Sequence, residues 1–415
     1  MSFDLFFNIF QGFRAIGYEF STSPEIAITR IGLVFLGFLL IYLGKKGILE
    51  PLLMIPMGLG MATINVSLMF FDPINMVANL PVDSTKLGNL FIDPAVTVND
   101  HIMTLFQVNW LQPIYNLTFG NGLIACLVFM GIGSLLDVGY VMKKPFQSMI
   151  IAIFAELGTI LTLPIAKLFG YNMGQAASIA TVGGADGPMV LFTSLKLAPE
   201  LFVPIAVVAY LYLGIAYGVF PYLVKYTIPL KLQKIEMPVK EEKEFTSSQK
   251  MLFAVLACTL LSLLLPVASP LIFSLFFGVV IRESGVKKYI ELLQGPILYL
   301  STMFLGLVLG VLCDASTIAS PKVLPLLLLG VLALLLSAIG GIIGGYFMYF
   351  VTGKKFNPVI GIAGVSCVPT TSKVCQKIVS KANPNAIVLP DALGVNISGV
   401  ITTAIIAGIY CSYLS

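Results

Sequence analysis

The sequence predicts an all-α polytopic membrane protein with roughly nine to eleven membrane segments. It further predicts an inverted structural repeat in which two broken helices meet near the bilayer midplane. Three observations carry this expectation. First, 58% of the 415 residues are hydrophobic and only 11% are charged, and a soluble domain carries about twice that charge fraction. The apolar runs are too long and continuous for the strands of a membrane barrel. Second, short basic turns punctuate those runs and orient them, because lysine and arginine collect on the cytoplasmic side. Third, two glycine-rich interruptions fall at matched places in the two halves of the chain.

In order, residues 1–27 carry Phe3, Phe6, Phe7, Ile9 and Phe10 beside Asp4, Gln11 and Arg14. That pattern reads as an interfacial helix and lacks the features of a cleaved leader. Residues 28–118 hold the first two spans, 28–43 and 48–71, joined by Gly44-Lys45-Lys46-Gly47, which marks the cytoplasm. A polar outer loop follows, with Asp72, Asp83, Asp93 and Asp100 against the single Lys86. Residues 119–229 form the first repeat. A span over 122–140 returns to Lys143-Lys144, and a span over 146–169 carries Glu156. The broken segment 183–188 comes next, then a tyrosine-rich span over 202–228. Segment 174–198 either crosses or re-enters. Residues 230–250, with five lysines, form a cytoplasmic linker. Residues 251–293 are linking helices, interrupted by Pro266 and Pro270. Residues 294–415 form the second repeat, with a broken segment at 357–369.

The repeat shows in the residues. Phe129-Met130-Gly131-Ile132-Gly133 leads to Asp137, and Phe304-Leu305-Gly306-Leu307 leads to Asp314. The spacing that separates these two aspartates carries Asp186 onto Ala363, inside Gly361-Ile362-Ala363-Gly364-Val365-Ser366. The basic markers give the halves opposite orientations, as an inverted repeat requires.

The chemistry concentrates at the breaks. In Gly183-Gly184-Ala185-Asp186-Gly187-Pro188, glycines and proline interrupt the helix. Asp186 is the only charged side chain from Ala176 to Leu195. Unwound backbone at membrane depth survives where protein buries it or it lines a wet cavity, and a carboxylate there is a functional site by default. The oxygen ligands on offer are Asp186, Asn357, Ser366 and Asn396, with carbonyls near Gly184 and Gly361. One carboxylate among neutral oxygens suits a small monovalent cation, sodium, with a proton as competitor. Tyr212, on the next span, reads from position alone as a packing tyrosine. Lys373, Lys377 and Lys381 line one helix face, and Lys373 lies nearest the break. Glu156 has no obvious break around it and reads as a structural hydrogen-bonding group. Asp137 and Asp314 read as solvated span ends.

Six scattered cysteines read as small core residues, and the single histidine, His101, excludes a His-based metal site or dyad. The net charge of +4 leaves no nucleic-acid footprint. No P-loop or strand-borne GxGxxG is present. Energy therefore comes from an ion gradient or from a substrate delivered by another chain.

At these residues the chain resembles a known family, the β subunits of the biotin-dependent, sodium-translocating decarboxylases. The resemblance is carried by Val182–Pro188, by Asn357-Pro358-Val359-Ile360-Gly361-Ile362-Ala363-Gly364-Val365-Ser366 and by Arg282-Glu283-Ser284-Gly285-Val286. Gly394-Val395-Asn396-Ile397-Ser398-Gly399-Val400-Ile401 completes it. Family members serve oxaloacetate, methylmalonyl-CoA, glutaconyl-CoA or malonate decarboxylases. The resemblance implies an enzyme, a sodium-translocating carboxybiotin decarboxylase, which consumes a proton and moves sodium outward. It implies that Asp186, Asn357, Gly361, Ser366 and Asn396 form the sodium site and that Tyr212 assists proton delivery. Lys373 would meet carboxybiotin at a position where the family often has arginine. Lysine keeps that charge without the bidentate fork.

The cofactors so implied are sodium and carboxybiotin supplied by a partner, with no covalent biotin on this chain. The partners are a biotin carrier/carboxyltransferase subunit and a small membrane subunit, in an oligomer within a bacterial or archaeal cell membrane. The alternative from bare chemistry is a self-sufficient sodium symporter or sodium/proton antiporter.

Overall fold

A computed structural model describes residues 11–70, 87–93, 109–237, 244–321, 323–367 and 369–414. His101, most of the acidic loop and the centre of the lysine-rich linker lie outside the described residues. The chain is a helical, multi-pass membrane protein, as expected. Among the described residues, seven helices are long and apolar enough to cross a membrane. The number is eight if Gln112–Phe119 and Leu123–Leu135, bent by 66°, form one span. The sole sheet among the described residues pairs Met69–Phe70 with Leu87–Gly88 antiparallel. None of the six cysteines forms a disulfide.

The chain forms two compact units. The first comprises residues 1–124 and 300–324. Helix α1 (Gln11–Thr22) is followed by α2 (Pro24–Lys45) and α3 (Pro51–Ile64), both entered through a proline at the first turn, where the missing N–H costs nothing. Glycine lets these backbones touch. A Cβ on Gly58 would lie 2.5 Å from Gly37 O, and one on Gly60 2.8 Å from Leu307 O. Arg30, only 2% exposed, donates to both oxygens of Glu19 at 2.7 and 2.8 Å and to Asp314 Oδ1 at 2.8 Å. Asp314 is therefore no mere solvated span end. A buried guanidinium requires carboxylates around it, and Asp314 supplies one.

The second unit comprises residues 125–299 and 325–415. Helix α4 (Leu123–Leu135) begins at its edge and leads to α5 (Pro145–Ala155) and α6 (Leu157–Leu168). Then come α7 (Met173–Ala180), α8 (Gly187–Leu197) and α9 (Phe202–Thr227). Helix α10 (Ser247–Leu264), begun by a Thr246/Gln249 capping box, is separated from α11 (Ser269–Glu283) by a 3-10 turn at Pro266–Ala268. Helix α12 (Leu298–Leu312) belongs mostly to the first unit. Helices α13 (Val323–Val351), α14 (Thr370–Ala382) and α15 (Leu389–Leu414) complete the chain.

Asp137 is also more than a solvated end. It accepts from Gly139 N at 2.9 Å and pairs with Lys250 at 2.8 Å and Arg282 at 3.3 Å. Partial burial opposes its charge, but Lys250, the Gly139 N–H and Arg282 together hold the carboxyl below the usual range.

Candidate functional site: two broken segments and a buried carboxyl

The first break has a clear local cause. Helix α7 runs into a 3-10 turn at Thr181–Gly184, and Ala185 then takes a left-handed conformation, φ 55°. Asp186 reverts to an extended backbone and caps α8, accepting from Met189 N at 3.4 Å. Left-handed geometry costs a Cβ-bearing residue about 1–2 kcal/mol, so packing must hold it. Gly183 provides that packing: a Cβ there would lie 2.8 Å from Gly158 C and Thr159 N.

The second break is capped by Asn357, whose Oδ1 accepts from Val359 N at 3.1 Å. A 3-10 turn, Pro358–Gly364, follows. Gly361 lies in it with its backbone against α13, and a Cβ would approach Gly341 O to 2.0 Å. The turn delivers Ser366 to the first break. Ser366 N donates to Gly184 O at 3.1 Å, and Ser366 Oγ donates to the same oxygen at 2.7 Å. The two broken segments thus meet directly, two residues from Asp186.

Asn396 on α15 secures the exit of the second break. Its Nδ2 faces Ala363 O at 2.9 Å, Val365 O at 3.1 Å and Thr371 Oγ1 at 2.9 Å. Two of these are carbonyls, which only accept, so the amide orientation is settled. Its Oδ1 is buried and has no partner.

Other candidates stand further away. The Asn357 side chain is occupied, with Nδ2 donating to Gln233 O at 3.1 Å and Ile235 O at 2.9 Å. It ties the start of the linker to the break. The 3-10 turn Pro358–Gly364, about 14 Å long at about 2.0 Å per residue, lies between it and Ser366. Tyr212 donates to Leu327 O at 2.8 Å and packs against Gly330. Lys373 is exposed on the outer face of α14, whose inner face buries Thr371, Ser372, Val374, Cys375 and Val379.

Three more groups gather at the first break; of these sequence reasoning named only Glu156, as a structural hydrogen-bonding carboxyl, and passed over Tyr210 and Thr403. Tyr210, two residues before Tyr212 and so on the opposite face of α9, presses its ring onto Gly187. Its buried hydroxyl has no hydrogen-bond partner. Glu156 sits at a one-residue irregularity between α5 and α6, with ψ 4°, but Pro145–Leu168 remains one span, and helical hydrogen bonds run through it from Glu156 N to Ala152 O and from Ile160 N to Glu156 O. It is 2% exposed and electrostatically coupled to Asp186. Thr403 donates to Glu156 Oε1 at 2.5 Å, Thr402 contacts the same oxygen at 3.2 Å, and Thr159 meets Oε2 at 2.5 Å. Thr403 also lies 3.3 Å from Ser366 Oγ. A threonine in a membrane helix ordinarily bonds back to its own helix, so no local signal marks these.

The first break therefore gathers buried oxygens: two carboxyls, several hydroxyls and the Gly184 carbonyl, while the free Asn396 amide oxygen stands at the exit of the second break. Among the described residues no group of three or more His, Cys, Asp or Glu forms a metal cluster. Such a set fits a monovalent cation or a proton better than a divalent ion.

Comparison with known proteins agrees with this chemistry. The family described as the Na+-transporting oxaloacetate decarboxylase beta subunit matches residues 29–414. The chain is 49% identical over 402 residues to a carboxybiotin decarboxylase of Malonomonas rubra, covering 97% of both chains. It is 34% identical to the oxaloacetate decarboxylase beta chain 2 of Salmonella typhi, over 81% of this chain and 76% of that one. It is 31% identical to the methylmalonyl-CoA decarboxylase subunit beta of Veillonella parvula, over 92% of each.

Proposed function

Because the chain belongs to the family of Na+-transporting oxaloacetate decarboxylase beta subunits, we propose that it decarboxylates carboxybiotin and couples this to outward sodium transport. The carboxybiotin arrives on a biotin carrier/carboxyltransferase subunit, a small membrane subunit completes the complex, and this chain carries no biotin of its own. The observation that carries the reading is the meeting of the two breaks. Ser366 places both its N–H and its hydroxyl on Gly184 O, beside a buried Asp186.

In this reading Asp186, Ser366 and Asn396 face the cation, Gly361 shapes the turn that brings Ser366 in, and Asn357 fixes the other end of that turn. Sodium binding displaces a proton from the site. Carboxybiotin consumes that proton as its N–CO2 bond breaks: carbon dioxide leaves, and the electron pair left on the biotin nitrogen takes the proton. Tyr212 assists proton delivery, and the exposed Lys373 meets the incoming carboxylate. Moving one charge against 100 mV costs about 2.3 kcal/mol, so uncoupled decarboxylation would waste the driving force. An inverted repeat underlies the two breaks. Asp137 and Asp314, at its matched positions, each accept from the backbone N–H two residues on, which supports it.

The test is sodium uptake into inverted vesicles carrying the whole complex, driven by a carboxylic acid substrate, with and without avidin. Avidin should abolish uptake, and Asp186→Asn should abolish both uptake and carboxybiotin decarboxylation. Avidin-insensitive uptake points instead to a self-sufficient symporter. Full-rate decarboxylation by the Asp186→Asn complex sinks the shared-carboxylate reading.

A further inference from the structure

Glu156, Thr403, Ser366 and Gly184 form a buried line of oxygens whose protons can be counted. The contacts are 2.5 Å from Glu156 Oε1 to Thr403 Oγ1, 3.3 Å on to Ser366 Oγ, and 2.7 Å from there to Gly184 O. A hydroxyl has one proton to give, and a carbonyl has two lone pairs. Both lone pairs of Gly184 O are occupied, one by Ser366 N–H and one by Ser366 Oγ–H. To face a cation, that carbonyl must lose one of them, and the hydroxyl is the one that rotates. Its other neighbour is Thr403 Oγ1. Thr403 can receive the Ser366 proton only while its own proton is committed elsewhere, and Glu156 Oε1 holds it.

We infer that Glu156 is a positioning residue of the sodium site. By holding the Thr403 proton it keeps Thr403 Oγ1 as the acceptor into which Ser366 turns. That turn presents Ser366 Oγ and Gly184 O together to the cation. The inference rests on the reading of Asp186 and Ser366 as sodium ligands, but it adds a group that touches neither cation nor carboxybiotin. It needs an acceptor at Oε1 and nothing more. A glutamine supplies one, and its amide, at the Oε2 position, can donate to Thr159 Oγ1, which lies 2.7 Å from the carbonyl of residue 156. Leucine supplies none.

The experiment uses the assembled decarboxylase and reads the sodium concentration for half-maximal decarboxylation alongside the maximal rate. Thr403→Val, which keeps the shape and loses the hydroxyl, should raise half-saturating sodium about fivefold, the effect of one lost hydrogen bond, with a smaller change in maximal rate. Thr403→Ser should restore it. Glu156→Leu should match Thr403→Val, and Glu156→Gln should shift far less. The double variant E156L/T403V should be no worse than either single variant, because both remove the same relay. Unchanged sodium dependence in Thr403→Val, or additive shifts in the double variant, overturns the inference. Should Glu156→Leu fail to fold, the Val/Ser pair at 403 decides alone. Asp186→Asn tests the underlying reading separately. If it retains sodium-stimulated turnover that reading fails, and if it abolishes turnover while Thr403→Val is silent only the relay fails.

Discussion

Gly341→Ala would press a single methyl group against the second break. A Cβ at 341 would sit 2.5 Å from Gly361 O and 3.2 Å from its carbonyl carbon. Unbonded heavy atoms settle near about 3.5 Å, so the turn and α13 must part by about 1 Å. Overpacking of this kind costs about 1–3 kcal/mol, which a thermal midpoint of the purified complex would register as a drop. The functional effect follows from what the turn carries. Displaced by about 1 Å, Ser366 cannot keep both of its bonds to Gly184 O. Losing one neutral hydrogen bond, about 1 kcal/mol, should raise half-saturating sodium about fivefold. Gly408→Ala is the control, since its new methyl meets the mobile Leu265 Cδ1 at 3.0 Å and Ala268 Cβ at 3.2 Å. Wild-type stability together with wild-type sodium dependence in Gly341→Ala would refute the claim that this turn positions the site.

Other outcomes can be measured on the same preparation. Arg30→Met should cost about 3 kcal/mol, because Glu19 would be left buried and Asp314 half-buried without their cation, and Arg30→Lys should rescue only part of that; thermal unfolding reads both. Asp137 is held below its usual pKa, so its contribution is present above the unfolded value, about pH 4, and lost as pH falls through the folded value. The Asp137→Asn variant should therefore be less stable at neutral pH by up to about 1 kcal/mol, a gap that closes on acidification. Tyr210→Phe removes a buried hydroxyl without a partner and should leave stability unchanged or raised. If it slows turnover at that stability, the hydroxyl serves the site. Tyr212→Phe, by contrast, forfeits the bond to Leu327 O and should destabilise by about 1 kcal/mol.

The first break was legible because its cause is local. Two glycines, an aspartate and a Gly-Pro pair cannot continue a helix, whatever surrounds them. Ser366 and Asn396 were legible for a related reason, as polar groups in apolar runs beside a second glycine-rich stretch. The position of Asn357 was not. Its amide serves carbonyls of the linker more than 120 residues earlier, a partner that no spacing announces. That Tyr210 also faces the break needed the phase of α9, since two residues on a helix point opposite ways. Glu156 was noticed as an intramembrane carboxyl, but its threonine partners on α15 lie more than 240 residues away in sequence. Close to it, α5 and α6 press on α13: a Cβ at Gly158 would lie 2.0 Å from Ala333 O, and one at Gly340 2.1 Å from Phe154 O.

Those glycines have a mechanical meaning. Helix α13 is gripped on one side by Gly361 and Pro358 and on the other by Phe154 and Gly158, main chain against main chain. Side chains are springs, since they change rotamer to absorb a displacement, but bare backbone has no such play. α5, α6, α13 and both breaks therefore form a stiff block. Whatever motion carries a cation from one side of the membrane to the other must move that block whole, keeping Asp186 and Ser366 in register.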